Sequence, residues 1–165
     1  MSQETKVKKD LEDKSITVSR EFKAPVEMVW RAYTERELLD QWWGPSPWRA
    51  ETKSMDFREG GYWLYAMVSP ENQKHWAKMN YIKINKYQKI DKQDFFCDEK
   101  GKVNEMFPPS NGFVVFTKTE TGTNVDYKLK FSTQEGLNQL VQMGFEQGMS
   151  MCLEQLEALL AKIKR

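Results

Sequence analysis

From Leu137 to the end of the chain, apolar residues recur at three- and four-residue spacing: Leu137, Leu140, Val141, Phe145, Met149, Leu153, Leu156, Leu160 and Ile163. On a helix this spacing draws one apolar stripe with polar residues opposite. Ser132-Thr133-Gln134-Glu135 ahead of it is a capping-box pattern, in which a hydroxyl and a carboxylate satisfy the first free N–H groups. Lys162, Lys164 and Arg165 close the stripe where cations suit the helix dipole. A stripe this long has to be buried, and the only large cover the chain offers is a sheet with one apolar face.

That sheet is read between Trp48 and Phe131. Strands are expected over Trp48–Phe57, Tyr62–Val68, His75–Ile90, Asp94–Cys97, Phe113–Lys118 and Asn124–Phe131. Glu59-Gly60-Gly61, Ser69-Pro70-Glu71-Asn72 and Glu120-Thr121-Gly122-Thr123 supply the turns. The alternation slips near Asn80-Tyr81, where a bulge is expected. Before this region, Ile16 to Phe22 alternates as a first strand, and Pro25 opens a short helix carrying Val26, Val29, Trp30 and Tyr33. Thr34-Glu35-Arg36-Glu37 reads as the capping box of a second short helix, which ends at Gly44-Pro45. Residues 1–14 carry many charges and little to bury, and read as a flexible tail preceding one domain over 15–165.

Charge narrows the function classes. Lysine and arginine total 25 against 24 acidic residues, a net +1. Nucleic-acid binding, which draws on a basic excess to release counterions, is not expected. No apolar run approaches the ~20 residues needed to span a bilayer, and the charged N-terminus has no signal-peptide pattern. Cys97 and Cys152 lack metal-ligand spacing and are expected as free thiols in a reducing cytoplasm. His75 is the only histidine, with no partner in the sequence for a triad or a metal site. No metal and no cofactor are expected.

Several segments resemble one known family. They are Ala24-Pro25-Val26-Glu27-Met28-Val29-Trp30-Arg31-Ala32, the block Trp42-Trp43-Gly44-Pro45, and the hairpin Asp56-Phe57-Arg58-Glu59-Gly60-Gly61-Tyr62-Trp63. Gly122-Thr123 before the last strand and the length of the final helix agree with it. Together these resemble homologues of the activator of the ninety-kilodalton heat-shock chaperone ATPase, within the START-like (SRPBCC) helix-grip superfamily. The resemblance runs from about Ser15 to Ile163 and implies an α+β fold. In it, a curved antiparallel sheet of about six or seven strands wraps around the long C-terminal helix, with two short helices after the first strand. Superfamily members bind lipids, hormones or polyketides, catalyse cyclisation or dehydration, or assist a chaperone, so the fold sets a range of functions rather than one.

Within that frame, a space between helix and sheet is the expected site. Trp63, Tyr65 and Met67 share one strand face, with Tyr81 and Trp76 from the next strand as further candidates. Gly144 and Gly148 lie one turn apart on the long helix, where missing side chains leave room for a ligand or for close packing. Met143, Phe145, Met149 and Cys152 surround them as an adaptable apolar wall. Arg58 either pairs with Asp56 at the surface or binds a carboxylate head group. Trp42, Trp43 and Trp48 read as a staple holding the short helices to the sheet.

The leading expectation is therefore binding of a small apolar molecule, lipid-like or polyketide-like. A chaperone or other protein is the alternative partner that the resemblance implies. Catalysis ranks third: only Asp56, Glu51, Asp126 and His75 could serve as acid or base, and nothing pairs them, so no catalytic residue is assigned. Monomer and homodimer both stay open.

Overall fold

The computed structural model describes residues 5–163. Residues 1–4 of the expected tail, and Lys164 and Arg165 of the basic helix end, lie outside the described residues. In chain order the elements are β1 (Lys6–Asp10), β2 (Ser15–Phe22), α1 (Val26–Thr34), α2 (Arg36–Trp42), β3 (Arg49–Asp56) and β4 (Tyr62–Val68). They continue with β5 (Lys74–Asn85), β6 (Lys89–Cys97), β7 (Ser110–Lys118), β8 (Thr123–Lys130), α3 (Gln134–Gln142) and α4 (Phe145–Ile163). One antiparallel sheet of eight strands runs in the order β1-β2-β8-β7-β6-β5-β4-β3. The first strands thus pair with the last, and the intervening hairpins fan out to β3.

Three local readings are corrected. Residues 6–10 are an edge strand paired with β2 from Lys6↔Ser19 to Asp10↔Ser15, not tail. A lysine-rich edge strand is stable as part of a sheet while resisting further pairing. This strand raises the count to eight from the expected six or seven, and the turn between β5 and β6 falls at residues 86–88 rather than after Ile90. That turn escapes the usual punctuation because its left-handed residue is Tyr87, φ 65°, rather than a glycine. The expected long helix is two helices: α3 ends at Gln142 with Met143 as its C-cap, and Gly144 turns the chain at φ 86°. A left-handed residue halts the helical ladder, and glycine adopts it without the Cβ penalty.

The caps also differ in detail. Thr133, not Ser132, caps α3, its Oγ1 accepting from the Gly136 amide at 3.0 Å. Thr34 does not cap α2; its hydroxyl donates back to the Trp30 carbonyl at 2.8 Å, and Glu35 takes the cap position.

Two bulges bend the sheet, between Thr52 and Ser54 and between Tyr81 and Lys83. The second lies next to the expected slip, with Ile82 thrown outward at 59% exposure. Curvature from these bulges gives the sheet a concave face. That face meets α4 through Met149, Cys152, Leu153, Leu156, Leu159 and Leu160, all buried. Burying each leucine contributes roughly 1.5–3 kcal/mol. Helices α1 and α2 close one end of the same core with Val29, Trp30, Leu39 and Trp42.

Candidate functional site

The loop after α2 is fastened directly to α4. Gln155 Nε2 donates to the carbonyls of Trp42 (3.0 Å) and Gly44 (2.9 Å), and its Oε1 accepts from the Ser46 amide at 2.9 Å. The Gly44 amide donates to the Cys152 sulfur at 3.3 Å. Trp42 is fully buried with its indole N–H on the Ala32 carbonyl, 2.9 Å away. The tryptophan block is thus a staple between the short helices and α4, which explains why Trp42 and Trp43 are buried. It also gives Cys152 a structural task; burial pushes its thiol up to about 11.

Trp43 reaches from this loop into the concave side. Its ring lies edge-on to Trp63 at 5.5 Å and near Tyr127 at 5.8 Å. Trp63 and Tyr65 stack at 4.1 Å on the inner face of β4. The Trp63 indole donates to Thr52 Oγ1 at 2.9 Å, and that hydroxyl donates to Asp40 at 2.6 Å. Tyr81, from β5, is 1% exposed and packs edge-on to Phe57 at 4.8 Å.

The inner face of β6 holds what sequence reasoning missed. Alternation along this strand sends Ile90, Lys92, Asp94 and Phe96 toward the core. The Lys92 side chain is 0% exposed and ion-pairs with Asp94, which is 22% exposed. The Lys92 ammonium also sits 4.1 Å from the centre of the Tyr127 ring, a cation–π contact strengthened by desolvation. Tyr81 lies directly across the ladder from Lys92. Burial pushes the Tyr65, Tyr81 and Tyr127 hydroxyls up from the ordinary phenol value, and the Asp94 carboxylate pushes them further. They are protonated at neutral pH and can donate. Burial pulls the Lys92 ammonium down, opposed by Asp94. The Tyr33 and Tyr81 hydroxyls are buried without a hydrogen-bond partner in the protein. Such groups cost about 1–3 kcal/mol each unless something satisfies them.

The remaining sequence candidates divide. Met149 and Cys152 are buried on α4, while Met67 and Phe145 are half-buried against the same core. Met143 is 53% exposed at the helix break, outside this interior. An added Cβ at Gly148 would meet Pro45 at 3.5 Å, so this glycine serves the contact between α4 and the tryptophan loop, not a cavity. Arg58 is exposed and paired with Asp56 at 2.6 Å, so it is no buried head-group ligand. Trp76 falls on the outer face with Leu64 and Phe95, flanked by Lys53 and Lys74. Between α3 and the loop after β6, Phe96, Phe107, Pro108, Phe131 and Met143 line only a shallow depression of about 20 Å³, room for one water.

The four groups considered for catalysis stay apart. Asp56 is held by Arg58, Glu51 by Lys74 at 3.1 Å, and Asp126 by Ser19. His75 is exposed beside Trp48, their rings 5.5 Å apart. Among the described residues no cluster of metal-ligating side chains occurs, and no helix is long and apolar enough to cross a membrane.

A bent antiparallel sheet closed by a C-terminal helix, with a polar pair walled by aromatic rings between them, defines a helix-grip protein of the START-like class. Within that class the chain belongs to the family described as Activator of Hsp90 ATPase homolog 1-like protein, whose model matches residues 23–161. Its fold is similar to that of a Mycobacterium smegmatis protein at 31% identity, with 94% of this chain and 96% of that one covered and a TM-score of 0.88. An Arthrobacter aurescens protein is similar at 29% identity, covering 95% and 91%, TM-score 0.89. A Staphylococcus epidermidis protein matches at 29% identity, covering 94% and 93%, TM-score 0.82. Among curated proteins none matches the chain.

Proposed function

We propose that the protein holds a small, largely apolar ligand, lipid-like or polyketide-like, between α4 and the sheet. Trp63, Tyr65, Met67, Phe145 and Met149 provide apolar wall, and Tyr81 with the Lys92–Asp94 pair orients the ligand. The observation that carries this reading is the buried ion pair set among unpartnered donors. A core needed only for stability gains nothing from such a pair, because well-packed apolar residues of similar volume are commonly as stable or more so. Few, well-placed polar groups in an apolar enclosure are what small-molecule sites have in common. The two buried free thiols suit a reducing compartment such as the cytoplasm.

The test is native mass spectrometry of gently purified protein, followed by titration of apolar compounds against tryptophan fluorescence. A co-purifying compound, or saturable quenching that weakens in Trp63→Phe, is expected. A clean protein mass with no saturable quenching by any compound overturns the reading.

The family description supports a second reading, contact with a chaperone. Its surface would include the exposed Met106 and Met143 near the α3–α4 break. Stimulation of a purified chaperone ATPase, lost in Met106→Ser with Met143→Ser, is its test.

A further inference from the structure

The interior has an uneven stock of hydrogen-bonding groups. Lys92 carries three N–H donors. Asp94 accepts one, and the face of Tyr127 lies beside the ammonium at 4.1 Å. The Tyr81 hydroxyl across the ladder and the Tyr33 hydroxyl add donors that no protein group accepts from. Asp94 is the carboxylate whose charge acts on Tyr65, Tyr81 and Tyr127, and it is already engaged by Lys92. The other ion pair touching the core joins Arg20 to Glu157 at 2.8 Å, and it leaves the buried Arg20 Nε as a further donor without a partner. Charge is balanced here, and donors are in excess.

We infer that the site selects an uncharged ligand bearing an acceptor oxygen, such as a ketone, ester or alcohol on an apolar body, over the matching carboxylate. This rests on the ligand-binding reading above and narrows it. A neutral oxygen has lone pairs for Lys92 and Tyr81 and adds no charge to the enclosure. A carboxylate has to share one ammonium with Asp94, placing two anions around one cation away from water, where like charges repel strongly. Lys92 offers no compensating freedom, being fully enclosed.

Two matched pairs test this at neutral pH: decanol against decanoate, and naphthalenemethanol against naphthoate. Dissociation constants come from tryptophan fluorescence, with stoichiometry from native mass spectrometry. The neutral member is expected to bind at least ~10-fold tighter, about 1.4 kcal/mol. Partitioning alone also favours an alcohol, so the decisive comparison is with Asp94→Asn and Asp94→Ser, checked for folding by circular dichroism. Removing Asp94 leaves Lys92 unpaired, and the preference should shrink ~10-fold or reverse. An unchanged preference in both variants, or equal binding of the carboxylate to the wild type, overturns the charge selection and leaves the binding reading intact. Absence of saturable binding by both members of both pairs overturns the binding reading itself, and this inference with it.

Discussion

Gly144 and Gly148 are indistinguishable in the sequence, two glycines one turn apart in an apolar stripe, yet alanine at each should act with opposite sign. At Gly144 the backbone sits at φ 86°. An added Cβ meets only the Gln147 Oε1 at 4.0 Å, so crowding by neighbours is negligible and the cost is that of the backbone conformation itself. Left-handed conformation costs an L-residue about 1–2 kcal/mol. Gly→Ala stiffens the unfolded chain and returns about 0.4–1 kcal/mol of that. Gly144→Ala should therefore destabilise by about 1 kcal/mol. Gly148 lies within α4, and its added Cβ makes ordinary contact with Pro45 at 3.5 Å. There alanine gains up to about 1 kcal/mol of helix propensity. The two variants should differ by about 2 kcal/mol, or roughly 4–8 °C in Tm for a chain of this size. Thermal unfolding followed by far-UV circular dichroism measures the difference. Shifts of the same sign would refute the assignment of the helix break. Because the new methyl at Gly148 faces Pro45, Gly148→Ala should also leave the affinity for a bound apolar probe unchanged.

Other outcomes follow from the same geometry. Lys92→Met, which breaks the buried pair, should destabilise by about 3 kcal/mol, the lower part of the usual range because Asp94 keeps some solvent. Adding Asp94→Leu to it should restore most of that loss in urea denaturation, and a further loss would show that the pair is a net stabiliser. Burial pushes the Cys97 and Cys152 thiols each up to about 11, so neither should be alkylated by iodoacetamide near pH 8 in the folded protein, while both should be after unfolding. Rapid labelling of Cys152 in the native state would contradict its bond to Gly44. Asp13 is held well below the usual carboxylate range by hydrogen bonds from Lys130 and Lys128. A lowered folded pKa gives stability that is present above the unfolded value and lost as pH falls, so Asp13→Asn should flatten the decline of stability below about pH 4. An identical acid decline in the variant would remove Asp13 from the account.

Much of the fold was legible because it depends on local period and turn chemistry. The helical stripe on either side of Gly144, the alternation of Trp63 and Tyr65 and the turn at Gly60-Gly61 each state their structure within a few residues, whereas the break at Gly144 does not show in the stripe. So did the tryptophan staple, since Gly44-Pro45 punctuates it. The turn at Tyr87 and the edge strand at 6–10 did not, because one uses a non-glycine left-handed residue and the other is stabilised only by pairing with β2. The site divides the same way. The aromatic wall could be read from strand faces, but Arg58, Met143 and Gly148 looked as available as Trp63 until the structure set them outside the interior. Lys92 fell between two expected strands, and Asp94 carried only a period-two signal, which in isolation describes any solvated strand face. What buries Lys92 is contact with Tyr81 and Tyr127, brought to it by strand pairing from other parts of the chain. The sequence determined which faces exist; tertiary packing decided which face closes over a charge, because burial is a property of long-range partners and not of local pattern.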